Sequence, residues 1–321
     1  MRITLVTPAA PRSRAGNRAT ATRWAGLLRG LGHRVRIVED WQPGDPAPEL
    51  LLALHAWRSA GAIARFAEAQ PQRPLVVVLT GTDIYRFQHS HPAETLPSLE
   101  RAHALIGLHA DVAQDIPARF RDRLHTVLQS ALPLPASYRG PVRGRFEVCV
   151  IGHLRPEKDS LRAAYAARRL PAGSRVRVVQ AGRAHSEDWA EAARSEMALN
   201  PRYRWLGEIP HGDVRRLLAR SRAMVMSSVM EGGANAVSEA CVAGLPVLAS
   251  EIPGNTGLLG ADYPGYYPPQ DTAALASLLE RSERDPAFLE RLRRHCAALA
   301  PRFTPAAEQV ALARVLAAVT A

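Results

Sequence analysis

Residues 2–38, RITLVTPAAPRSRAGNRATATRWAGLLRGLGHRVRIV, decide the fold. An apolar strand at 2–7 runs into a Pro/Gly/Arg loop at 8–16, and a helix is expected over 19–31. Trp24, Leu27, Leu28 and Leu31 recur there at helical spacing. Gly32 and His33 end the helix, and 35–38 begins a second strand. This β-loop-α-β order opens a Rossmann-like half. Short apolar runs at 50–55, 75–80, 104–108 and 125–128 continue it. The Pro/Gly-rich stretch 132–144 reads as a linker. A second alternation follows, with strands at 146–151, 176–180, 203–206, 223–227 and 246–249, and helices at 160–169, 186–198, 211–220 and 234–243. Amphipathic helices at 272–280, 286–299 and 305–319 form the tail. The expected class is α/β, with two Rossmann-like domains facing each other across a cleft. Their bounds are 1–140 and 141–304, and a terminal segment 305–321 is expected to pack back on the first. Function belongs on loops after strands, at the carboxyl edges of parallel sheets.

Composition narrows the classes. Of 321 residues, 47% are hydrophobic and 22% charged, which excludes a disordered chain. Lys plus Arg number 41 against 30 acids, a net charge of +11. The arginines are scattered and aromatics are only 6%, so no stacking stripe for nucleic acid is offered. No run of ~18 apolar residues suits a membrane span, and residues 1–10 are too short for a secretory leader. Cys149, Cys241 and Cys296 lie far apart without zinc spacing, as suits a reducing cytosol. A soluble, cytoplasmic two-domain protein without metal or cofactor is the expectation. Lys158 is the single lysine, in a chain where Arg has replaced Lys elsewhere. A compact ammonium at that position is either a requirement or a chance survival.

The densest chemistry lies in 227–250, SSVMEGGANAVSEACVAGLPVLAS. Glu231 sits in a loop after a strand, Gly232 and Gly233 allow close backbone approach, and a helix starts near Ala234 and Asn235. Free N–H groups there suit a phosphate or a sugar hydroxyl. Glu239 follows about one and a half turns into the helix. An acid favouring the helix dipole accounts for Glu231 but not for Glu239 or the paired glycines.

With E-x7-E ahead of G-L-P-V, the segment resembles the nucleotide-sugar site of GT-B glycosyltransferases of the large retaining family four. The resemblance implies that Glu231 meets the transferred sugar and Glu239 the nucleotide ribose. It also implies that Gly232, Gly233, Ala234 and Asn235 meet sugar and phosphate. A second match is I-G-H-L-R-P-E-K-D at 151–159, where Arg155 and Lys158 take the positions of a diphosphate clamp. Two cations on one loop neutralise a leaving diphosphate; the alternative is a surface pair with Glu157 and Asp159. Gly16 and Leu206 complete the implied donor set. Catalytic roles fall to Arg155, Lys158 and Glu231.

The motifs L-H-A-W-R-S (54–59), L-T-G-T-D-I-Y-R (79–86), S-E-I-P-G-N-T-G-L-L-G (250–260) and Y-P-G-Y-Y (263–267) extend the likeness to the selenosugar synthases of selenoneine biosynthesis. That resemblance implies a UDP-sugar donor, typically UDP-N-acetylglucosamine, and selenophosphate as acceptor. Thr80 stands where many family members carry a histidine, in the loop Thr80-Gly81-Thr82-Asp83. His109 or His55 is the substitute, or either is simply packed. On the acceptor side, Arg12, Arg14, Asn17 and Arg18 are placed on the loop after the first strand, suited to a small anion. The competing reading is a solvated basic loop. An ordinary GT-B enzyme with a hydroxyl acceptor is the alternative function. A non-catalytic nucleic-acid or membrane-surface protein is the reading from another class.

Overall fold

The computed structural model describes residues 1–11, 13 and 16–320. Twelve parallel strands form two six-stranded sheets. The first holds β1 (Arg2–Val6), β2 (Arg34–Val38), β3 (Leu50–Leu54), β4 (Leu75–Leu79), β5 (Ala104–Gly107) and β6 (Leu124–Thr126), in the order β2-β1-β3-β4-β5-β6. The second holds β7 (Phe146–Ile151), β8 (Val176–Ala181), β9 (Tyr203–Trp205), β10 (Ala223–Met226), β11 (Val247–Ser250) and β12 (Tyr266–Tyr267). Its order, β12-β11-β10-β7-β8-β9, is the 3-2-1-4-5-6 order of a dinucleotide-binding fold when strands are counted from β7. The order reverses between β7 and β10, and loops leaving those two strands flank the crevice where such sheets bind ligands.

Continuous apolar strands follow from burial on both faces. In β3, Leu50, Leu52 and Leu54 pack with Trp24, Leu28, Leu312 and Leu316, while Leu51 and Ala53 pack with Trp41, Phe66 and Phe120. Burial of that kind stabilises by roughly 1.5–3 kcal/mol per large side chain.

The chain divides into two compact units. The first comprises Met1–Ser130, Glu231–Asn235 and the tail from Pro305; the second comprises Ala131–Met230 and Ala236–Thr304. The helix Pro305–Thr320 lies in the first unit, its Leu312, Val315 and Leu316 sharing a core with Trp24 and Leu28 of α1 (Gly16–Gly30). The short segment Glu231–Asn235, read from sequence as part of the second domain, clusters with the first unit.

Three expectations shift. Helix α1 starts at Gly16 instead of 19, because Thr20 joins Trp24 on its buried face and no proline lies beyond Pro11 to stop it. Asn17 and Arg18 therefore lie in its first turn, not on the preceding loop. The helix expected at 272–280 runs Thr272–Arg284, since Ser282 continues the buried stripe of Leu275 and Leu279. Helices Ala60–Ala69, Pro92–Arg101 and Pro253–Leu259 were not expected; Pro97 lies inside the second, and the third is glycine-bearing. No helix among the described residues is long and apolar enough to cross a membrane.

Candidate functional site

In the second unit, β7 ends at Ile151 and its loop carries Arg155 and Lys158. A short turn, Pro156–Lys158, closes on Asp159, which holds a left-handed backbone with φ 43°. That conformation is uncommon for a non-glycine residue. Neighbours hold the turn. Ser160 Oγ accepts from the Arg155 N–H at 3.1 Å, and Ser227 Oγ donates at 3.1 Å to the Lys158 carbonyl. The Val229 N–H donates to the Glu157 carbonyl at 2.9 Å. The loop leaving β10 is thus stitched to the loop leaving β7, at the reversal of strand order. A Cβ on Gly152 would lie 3.8 Å from the Lys158 stem, so the lysine runs over that glycine. Gly152, Lys158, Ser160, Gln180, Ser227 and Ser228 line a cavity of about 10 Å3 there.

The acids expected to pair with the clamp divide. Asp159 is committed to Arg162, at 2.7 Å to Nε, and Arg162 in turn donates to Thr272 at 2.6 Å. Glu157 lies 4.0 Å from Arg155 Nε, too far for a hydrogen bond, and that Nε is buried without a hydrogen-bond partner. A buried donor of this kind fits a site built for an anion.

Beside β8 and β9, an open groove of about 430 Å3 is lined by Arg183, Ser186, Glu187, Trp205, Gly207 and Glu208. Leu206 sits between two of these, its N–H donating to Gln180 O at 2.9 Å. Glu239, on the helix Asn235–Val242, stands 3.7 Å from His211 Nε2, and this carboxylate raises the histidine pKa.

In the first unit, the glycines of 231–235 meet a requirement beyond ligand approach. A Cβ on Gly232 would lie 2.2 Å from the Thr80 carbonyl carbon and 2.3 Å from Gly81 N. On Gly233 it would lie 2.5 Å from Leu108 Cβ, and on Gly81 it would lie 2.4 Å from Gly232 N. Against backbone at Gly232 and Gly81, and against the rigid Leu108 Cβ at Gly233, only glycine fits. Glu231 is buried, and so is Ala234.

Asp83, expected to meet the acceptor, holds the loop. Fully buried, its carboxylate accepts from the N–H groups of Ala56 (3.0 Å), Thr80 (2.9 Å) and Gly81 (2.8 Å). His109 is packed too. Nδ1 accepts from the Asp111 N–H at 3.2 Å, so Nε2 carries the proton and donates to Tyr85 Oη at 2.9 Å; Tyr85 donates to Asp115 at 3.0 Å. Burial pushes the His109 pKa down to about 4, so the ring is neutral near pH 7. His55, with φ 74°, lies 2.9 Å from Thr82 Oγ1 through Nε2, and its pKa is also lowered by burial. Of the basic residues placed on the first loop, Arg18 is half-buried in α1. Arg12 and Arg14 lie outside the described residues. Among the described residues no cluster of three or more metal-capable side chains forms.

Reasoning from sequence missed Ser160, Ser227, Gln129 and Glu308. Ser227 is a short polar residue directly after β10, and Ser160 follows the Pro156–Lys158 turn by two residues. Glu308 is an acid four residues before Leu312 on a buried stripe, a signal legible in helical spacing.

Residues 140–299 match the family described as glycosyl transferases group 1. A glycogen synthase from Mycobacterium tuberculosis is 30% identical over 162 residues, 49% of this chain and 38% of that protein. The aligned segment thus spans well under half of that relative's length. Anabaena HepE, solved in complex with UDP and glucose, superposes with a TM-score of 0.77 at 17% identity over 99% of both chains. Sucrose-phosphate synthase from Thermosynechococcus elongatus gives 0.79 at 16% identity, over 99% of this chain and 98% of the other. The fold is that of the GT-B glycosyltransferases.

Proposed function

We propose that this chain, whose residues 140–299 match the group 1 glycosyl transferases, moves a sugar from a UDP-sugar to an anionic acceptor. The observation that carries the reading is the Arg155–Lys158 turn. It lies where the strand order of a 3-2-1-4-5-6 sheet reverses, and Ser160, Ser227 and Val229 hold it. As the bond from the anomeric carbon to UDP breaks, the diphosphate takes the electron pair. Cations fixed in advance stabilise that charge without reorganising. Glu239 takes the ribose hydroxyls, Glu231 the transferred sugar, and the backbone of 232–235 the sugar and phosphate. Leu206 and Gly16 join the donor site. HepE, solved with UDP and glucose, supports the donor class.

The acceptor assigned is selenophosphate and the donor UDP-N-acetylglucosamine. A C–Se bond forms as the C–O bond to UDP breaks, and water then cleaves Se–P to release phosphate. The ionised selenium is a strong nucleophile and demands no general base, in keeping with Thr80 where relatives carry histidine. Arg18, with Arg12 and Arg14 upstream, is assigned to the acceptor anion, and Asn17, Thr80, Gly81 and Thr82 to its surroundings. Asp83 and His109, which hold these loops, complete the assigned acceptor set. The family match backs the alternative, an ordinary glycosyltransferase with a hydroxyl acceptor, better than it backs selenophosphate.

UDP release from UDP-N-acetylglucosamine, measured with selenophosphate, phosphate or free glucose added, separates the two. Saturable stimulation by selenophosphate alone supports the reading. Stimulation by glucose alone gives the hydroxyl-acceptor enzyme.

A further inference from the structure

Behind the loop 231–235, within the first unit, lies a buried polar network that no donor or acceptor contact uses. Glu308 on the terminal helix is 1% exposed. Its carboxylate accepts from Trp24 Nε1 at 2.6 Å, from Arg23 Nε at 3.0 Å, from the Ser130 N–H at 3.0 Å, and from the Ser130 hydroxyl. Next to Ser130, Gln129 is 3% exposed. Arg23 can only donate and the Gly233 carbonyl can only accept, which fixes the amide orientation. The Gln129 oxygen accepts from Arg23 at 3.2 Å and from Thr20 Oγ1 at 2.6 Å. Its nitrogen donates to Gly233 O at 2.8 Å and to Asn235 Oδ1 at 3.1 Å.

A buried acid and a buried amide are costly unless every hydrogen bond is made, and here they are made in series. Glu308 fixes Arg23 and Ser130, Arg23 and Thr20 fix the Gln129 oxygen, and the Gln129 nitrogen is left aimed at the loop. An apolar core would serve packing alone at lower cost. We propose that Gln129, oriented by Thr20 and the Arg23–Glu308 pair, is a positioning residue that holds Gly233 and Asn235 in place for sugar transfer. The role in transfer rests on the reading of 232–235 as the donor loop; the holding of the loop does not.

The selective variant is Gln129→Glu. It keeps an acceptor for Thr20 and Arg23, removes the two donors to the loop and turns a carboxylate oxygen towards Gly233 O and Asn235 Oδ1. Gln129→Met, which removes both sides, is the second. In the full chain without ligand, amide hydrogen exchange over 231–235 should accelerate at least ~10-fold in both variants, while peptides of 146–230 keep wild-type rates. With UDP-N-acetylglucosamine and selenophosphate, kcat should fall about 10-fold while UDP affinity stays within about twofold. Unchanged exchange at 231–235 overturns the proposal. Faster exchange with wild-type kcat overturns the role in transfer. A loss of exchange protection spread over the whole chain means Gln129 is merely structural and also overturns it. If wild type itself releases no UDP from the donor, the donor-loop reading falls, and the exchange result is read on its own.

Discussion

Replacing Gly232 with alanine puts one methyl group where the structure has no room. The new Cβ would stand 2.2 Å from the Thr80 carbonyl carbon, 2.3 Å from Gly81 N and 2.4 Å from Thr80 O. All three are backbone atoms and none can rotate aside. Restoring an ordinary separation near 3.4 Å needs a displacement of about 1.2 Å. The Thr80–Gly81 backbone resists, because Asp83 accepts from both amides. The 231–235 loop must therefore move. A misplacement of that size at a donor-binding backbone costs on the order of 100-fold in transfer, and the overpacking about 1–3 kcal/mol in stability. The assay is kcat/KM for UDP-N-acetylglucosamine beside a urea melt of the same sample. Gly173→Ala is the control, since its Cβ meets nothing within 4 Å. Gly232→Ala with turnover within twofold of wild type would refute both the close approach and the loop's role.

Further outcomes are expected. Lys158→Ala should lower turnover by ~30–1000-fold, and Lys158→Arg should restore it only in part, because a planar fork does not occupy an ammonium's place over Gly152; steady-state rates decide. Glu239→Ala should weaken UDP binding by calorimetry, whereas Glu231→Ala should leave UDP affinity near wild type and reduce transfer. Buried neutral His109 titrates near 4 when folded and near 6.5 when unfolded, so the unfolded chain takes up the extra proton between those values. Its contribution is complete above pH 6.5 and is lost as pH falls towards 4, by roughly 3 kcal/mol. Urea melts at pH 7 and 4.5 should show a smaller acid loss in His109→Gln than in wild type.

The strands were legible because each is an apolar run buried on two faces, and β7 falls where the sequence places it, at 146–151. The segment holding Arg155 and Lys158 drew notice because it resembles a diphosphate clamp and carries the single lysine of the sequence. Helix ends were less so. At Gly16, glycine and arginine suggest loop, yet burial of Thr20 and Trp24 extends the helix back. The paired glycines carried two meanings that sequence cannot separate, approach to a ligand and approach to the Thr80–Gly81 backbone. Asp83 and His109 looked like chemistry because polar residues after strands often are. Asp83 accepts from amides two and three residues back and from Ala56, and His109 from the Asp111 amide two residues on; such loop contacts depend on backbone geometry that residue type alone does not encode. Gln129 was invisible because its partners lie about a hundred residues away in both directions.

The central claim is transfer from a nucleotide sugar. Mass spectrometry of the products formed by the purified full chain from UDP-N-acetylglucosamine, with and without selenophosphate, tests it most directly. The account predicts UDP and a seleno-N-acetylglucosamine species only when selenophosphate is present, with both lost in Lys158→Ala. Donor recovered intact under every condition, with no UDP formed, would contradict it.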